Sequence, residues 1–91
     1  MTNAEILTRV KNALGITGDF QDETIIEYID EVKAFMLGAG VPENIVNGVS
    51  SIGCISRGVS DLWNYGNGKL SPYFIQRVLQ LKTEKGGDEN G

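Results

Sequence analysis

The sequence at residues 22–37, DETIIEYIDEVKAFML, has the clearest periodic pattern of apolar residues in this chain. The spacing of these apolar residues places them on one side of an α-helix, and they are Ile25, Ile29, Val32 and Met36. The charged residues take the other side, and they are Glu27, Asp30, Glu31 and Lys33. The pattern therefore predicts an amphipathic helix with one side in a protein core and the other in solvent.

Three other segments also have apolar residues at the helical period. The first of these segments starts with Thr2 and Glu5 at the spacing of a capping box. It is followed by Gly15, a residue that suits a helix end in the left-handed conformation. Ser71 followed by Pro72 is a typical start for the last one. The four predicted helices span residues 3–14, 22–37, 42–64 and 72–82.

No segment alternates apolar and polar residues as a β-strand would, so the predicted fold class is all-α, a small four-helix bundle-like domain. We expect one helical domain at residues 1–83. Residues 84–91 contain charge and glycine but no apolar anchor, which predicts a flexible, frayed tail. The predicted core consists of Ile25, Ile29, Val32, Met36, Val49, Ile52, Val59, Phe74 and Val78.

Three glycines, Gly48, Gly53 and Gly58, interrupt the third predicted helix. Each one costs about 0.5–1 kcal/mol relative to alanine inside a helix, so a compensating effect is expected. Close approach of a neighbouring helix is the usual compensation, and a break or bend at Gly53 is the alternative.

The composition excludes several classes of function. The 91 residues include eight basic and twelve acidic ones, no histidine and one cysteine, for a net charge of −4. Because histidine is the commonest general base and metal ligand, we expect neither an enzyme nor a bound metal or cofactor. Cys54 lies among apolar residues, which favours a buried structural thiol over a nucleophile. No apolar run is long enough to span a membrane, and the first residues do not resemble a secretory signal.

The charges are unevenly distributed along the chain. Residues 19–43 hold seven acidic residues and one lysine, whereas residues 57–85 hold five basic and two acidic residues. The carboxylates of Glu27, Asp30 and Glu31 lack accompanying metal ligands. They are therefore interpreted either as a solvated helix side or as a contact for a basic partner surface.

The basic segment contains further candidates for subunit or partner contacts. Arg57 and Asp61 are four residues apart, so they either pair along one helix or Arg57 crosses to another subunit. Trp63 and Tyr65 precede a glycine-rich loop, where aromatic side chains belong either to the core or to an interface. Arg77, in the last predicted helix, is the remaining candidate.

Two nucleotide-related hypotheses receive little support from the residues. The five-residue spacing of the glycines matches neither a phosphate-binding loop nor a dinucleotide fingerprint. The glycines of Gly38-Ala39-Gly40 suit the turn of a helix-turn-helix DNA reader, but the helix that follows offers only Arg57 to neutralise phosphates. A small DNA-binding regulator stays open as an alternative function.

Residues 57–65 (RGVSDLWNY), a glycine loop and residues 69–81 (KLSPYFIQRVLQL) resemble the small head–tail connector, or adaptor, proteins of tailed bacteriophages and prophages. The first half of the chain agrees at residues 10–16 (VKNALGI) and 29–33 (IDEVK). The resemblance extends over about residues 4–82 and is most specific in its C-terminal part.

The resemblance implies a structural subunit of a closed ring, built in the virion from roughly a dozen copies of this chain below the portal protein, whereas the isolated protein can be a monomer. Double-stranded DNA would pass through the ring without sequence-specific binding, and a tail-completion or stopper protein would dock beneath it. The expected locations are the head–tail junction of the virion and the host cytoplasm during assembly. A phage-encoded effector that binds one host protein is the other alternative, and it predicts no self-assembly.

Overall fold

The computed structural model describes residues 1–65 and 70–83, with Tyr65 described by its backbone alone. This part of the chain is all-helical and contains no β-strand, as the sequence predicts. The helices are α1 (Asn3–Leu14), α2 (Asp22–Gly38), α3 (Glu43–Val46), α4 (Ile52–Tyr65) and α5 (Pro72–Lys82), and a 3-10 turn (Val49–Ser51) precedes α4. The predicted frayed tail at 84–91 lies outside the described residues.

The predicted ends of α1 are confirmed. The Thr2 hydroxyl accepts a hydrogen bond from the Glu5 backbone N–H at 3.1 Å, and the Glu5 carboxylate accepts one from the Thr2 N–H at 2.8 Å. These bonds favour the charged carboxylate and lower the pKa of Glu5. Gly15 ends the helix with φ of 72°, and Lys11 then pairs with Asp22 at 2.6 Å, which ties α1 to the start of α2.

The prediction of one helix over 42–64 is wrong, because the chain breaks into α3, the 3-10 turn and α4. The break lies at Gly48, whose backbone is extended with ψ of 170°, and not at Gly53. The Ser51 hydroxyl lies 2.7 Å from the Val46 carbonyl oxygen and 2.8 Å from that of Gly48. This side chain therefore satisfies a carbonyl that a continuous helix would have bonded to its own backbone.

α4 lies at the centre of the domain and packs against α1, α2 and α5. The predicted core is confirmed for seven of its nine residues, while Ile52 is only half-buried. Val49 is 63% exposed, because it belongs to the 3-10 turn and not to the apolar side of a longer helix. Among residues 1–64 and 70–83, the buried apolar residues are Ile6, Val10, Ile25, Ile29, Val32, Met36, Val41, Ile45, Val46, Cys54, Ile55, Val59, Leu62, Phe74, Val78 and Leu81.

Gly58 is the position where three helices meet. A Cβ atom built on Gly58 would lie 2.8 Å from a ring carbon of Phe74 on α5 and 2.8 Å from a methyl carbon of Val32 on α2. The predicted close approach is thus confirmed at Gly58. At Gly53 no atom lies within 4 Å of such a Cβ, so the same explanation does not apply there.

Candidate interaction surfaces

The carboxylates of Glu27, Asp30 and Glu31 form an exposed acidic ridge on α2. At 100° per residue they lie on the side of α2 opposite to the buried stripe that contains Ile29 and Val32. Within residues 1–65 and 70–83, no lysine or arginine lies within 4 Å of a ridge carboxylate. Within this domain the ridge is thus exposed to solvent, and the repulsion between Glu27 and Glu31 costs α2 a few tenths of a kcal/mol.

A groove of about 360 Å³ runs beside this ridge, between α1 and α2. Its floor and walls are mostly apolar, and Asp30 joins the groove to the ridge. The residues that line it are Asn3, Ala4, Ile6, Leu7, Ile26, Ile29 and Asp30.

Asp61, predicted as a residue of an interface, is only 2% exposed and belongs to the interior. One carboxylate oxygen accepts a hydrogen bond from the Ser71 backbone N–H at 2.9 Å. The other oxygen lies 3.6 Å from Nε of Arg57, so the predicted pairing along one helix is present. Asp61 therefore makes an internal contact that joins α4 to the start of α5, which corrects the prediction of an interface residue.

Asp61 completes the N-terminal cap of α5, although it lies ten residues before Ser71 in the chain. The Ser71 hydroxyl accepts a hydrogen bond from the Phe74 N–H at 3.3 Å, as a capping-box serine does. The reciprocal carboxylate normally comes from the third residue of the same helix, but here that residue is Phe74, which has none. Asp61 of α4 provides this carboxylate instead.

The remaining candidates lie on α4 and α5, and we call Arg57, Tyr73 and Arg77 the arginine patch. The Arg57 guanidinium carbon lies 5.2 Å from the centroid of the Tyr73 ring. Arg77 donates to the Gln80 side chain at 3.0 Å and to the Ser50 carbonyl oxygen at 3.5 Å. Tyr73 is 70% exposed, so its ring stays largely open to solvent beside Arg57.

The sequence places Tyr73 after the glycine-rich loop, as an aromatic residue either of the core or of an interface. Its exposure places it on the surface. The stacking of Arg57 on its ring joins α4 to α5, which no spacing within one helix indicates.

Trp63 has a dual position at the edge of the core. Its ring packs edge-on against Tyr28 of α2, with the ring centroids 6.0 Å apart and the planes at 87°. It nevertheless stays 37% exposed, so the structure assigns it in part to packing and in part to the surface. The side chain of Tyr65, the neighbouring candidate, lies outside the described residues.

The acidic ridge and the Arg57 side of α4 face away from each other. α2 packs against α4 through its buried stripe and directs the ridge outward. On α4, the stripe that includes Gly53 and Arg57 lies opposite to the buried stripe that includes Ile55 and Val59. The domain therefore carries the acidic ridge on one side and Arg57 on the opposite side.

Cys54 is the single thiol of the chain, and its surroundings determine its reactivity. Cys54 is buried, and the loss of solvation raises the pKa of its thiol to about 11, which makes it a poor nucleophile. Nowhere in residues 1–65 and 70–83 do three potential metal ligands of the His, Cys, Asp or Glu type cluster. None of the helices in these ranges is both long and apolar enough to cross a lipid bilayer.

Comparisons of the chain with protein-family models, with curated proteins and with solved structures found no match. The α4 helix carries Arg57 as its single cationic residue, and this residue already contacts Asp61 and Tyr73. A DNA reader needs several free cations on its recognition helix, and α4 does not offer them.

Proposed function

We propose that this chain is a structural assembly protein, a subunit of the head–tail connector ring of a tailed phage or prophage. In this role it sits below the portal protein, completes the head after DNA packaging and docks the tail-completion protein. It works by packing and docking, without a catalytic group, a metal or a cofactor. Its place is the head–tail junction of the virion, which it reaches from the host cytoplasm.

The observation that carries this proposal is that one domain has an acidic ridge on α2 and an arginine patch on α4 and α5, with Arg57 on the side opposite to the ridge. A closed ring is built from head-to-tail contacts, and such a contact needs two different complementary surfaces on each copy. The acidic ridge and the arginine patch have this relation. A two-fold dimer would instead need one surface that complements itself.

The small size of the domain supports the same function. A chain of this length buries only about 60–70% of the surface that its unfolded form exposes. Contacts with neighbouring copies would therefore add to the small area that one copy buries by itself. Exposed Tyr73 and partly exposed Trp63 are of the residue types that anchor protein interfaces. A ring of copies would cover such side chains.

Electron microscopy of the protein mixed with the portal protein encoded beside its gene tests this function. We expect an additional ring of density on the tail-facing side of the portal, with several copies of this chain per portal. A portal from an unrelated phage is the control and should stay bare. Cognate portal particles that stay bare at a large excess of the protein would contradict the proposal.

A further inference from the structure

We propose that the arginine patch is the docking site for the acidic ridge of a second copy of this chain. The proposal rests on the proposed function, since it names the contact between neighbouring copies in the ring. Its occupant is chosen by charge complementarity: two guanidinium groups on one copy and three carboxylates on the next.

The cations of the patch are held in place before any partner arrives. Arg57 is fixed between the Asp61 carboxylate and the Tyr73 ring, and Arg77 between the Gln80 side chain and the Ser50 carbonyl. A long flexible side chain normally loses conformational entropy when it binds. Because these contacts already restrict both guanidinium groups, less entropy is lost when a carboxylate docks.

The patch and the ridge both retain charge that the chain itself does not neutralise. The contacts of Arg77 within the described residues are to uncharged groups. On the ridge, Glu27 and Glu31 repel each other along one side of α2. A neighbouring guanidinium would relieve this repulsion, which explains why a helix tolerates carboxylates at this spacing.

Sedimentation at low ionic strength, at protein concentrations up to about 1 mM, measures the contact. The ridge variant is E27K/E31K, and its control D19K/E43K makes the same change in net charge at exposed positions elsewhere. The patch variant is R77E, and its control is R9E on α1. Circular dichroism confirms that each variant is folded, so that a loss of association is not a loss of structure.

We expect each of the ridge and patch variants to self-associate at least about 100-fold more weakly than the wild type, and the controls to stay within about threefold. When the ridge variant and the patch variant are mixed, they should associate at least about tenfold more strongly than either variant does alone. In that mixture the basic ridge of E27K/E31K meets the acidic patch of R77E, and the unchanged ridge of R77E meets the unchanged patch of E27K/E31K. This recovery requires that the ridge and the patch face each other.

A mixture that associates no better than either variant alone would overturn the assigned contact, as would a wild type that stays monomeric at the highest concentration. Neither result bears on the portal experiment. A ring on the portal together with failed recovery would mean that copies meet through other surfaces. Recovery together with a bare portal would mean that the contact exists but the proposed place in the virion is wrong.

Discussion

Replacing Gly58 by alanine is expected to lower the free energy of unfolding by about 1–3 kcal/mol. The added methyl group would lie 2.8 Å from both Phe74 and Val32, so α4 must move away from α2 or α5. The higher helix propensity of alanine offsets only about 1 kcal/mol of this overpacking. Urea unfolding followed by circular dichroism measures the change.

Gly53→Ala is the matched control for Gly58→Ala, because it makes the same substitution in the same helix. No atom lies within 4 Å of the new methyl group, so we expect a gain of about 0.5–1 kcal/mol. The two variants should therefore move the unfolding midpoint in opposite directions. Equal shifts of one sign would contradict the close packing of three helices at Gly58.

Replacing Asp61 by alanine is expected to cost about 1–3 kcal/mol, because the Ser71 N–H loses the acceptor that completes the cap of α5. Asp61→Asn retains a carbonyl oxygen in the same place and should cost less. Hydrogen exchange supplies a local readout, since the Ser71 amide should lose protection in the alanine variant and keep most of it in the asparagine variant.

Arg57→Gln separates the helix cap from the ion pair. Arg57 is half-exposed and lies 3.6 Å from Asp61, so its removal should cost no more than about 1 kcal/mol. If Arg57→Gln destabilised the domain as much as Asp61→Ala, the ion pair and not the cap would be the main contribution of Asp61.

The helices could be predicted because their signals are local. The capping box of Thr2 and Glu5 and the left-handed end at Gly15 lie within a few residues of the ends they define. The break at Gly48 could not be predicted, because the apolar residues on both sides of it keep the helical period. What breaks the helix is the extended backbone of Gly48 together with the Ser51 hydroxyl, and neither changes the apolar pattern.

The same difference between local and long-range signals decides which parts of the candidate surfaces could be predicted. Glu27, Asp30 and Glu31 lie on one helix, so their shared exposed side follows from the helical period. Asp61 contacts Ser71, ten residues further along the chain, and only the packing of α5 on α4 reveals that Asp61 is buried. The sequence contains one signal for this contact. Ser71 caps a helix whose third residue is Phe74, at the position where a capping box has a carboxylate.

The composition of the neck isolated from purified virions tests most directly whether this chain is a connector subunit. Mass spectrometry of that fraction should find this polypeptide in several copies per portal ring, with labelled antibody bound at the head–tail junction. A neck that contains the portal and tail-completion proteins but no trace of this polypeptide would contradict the account.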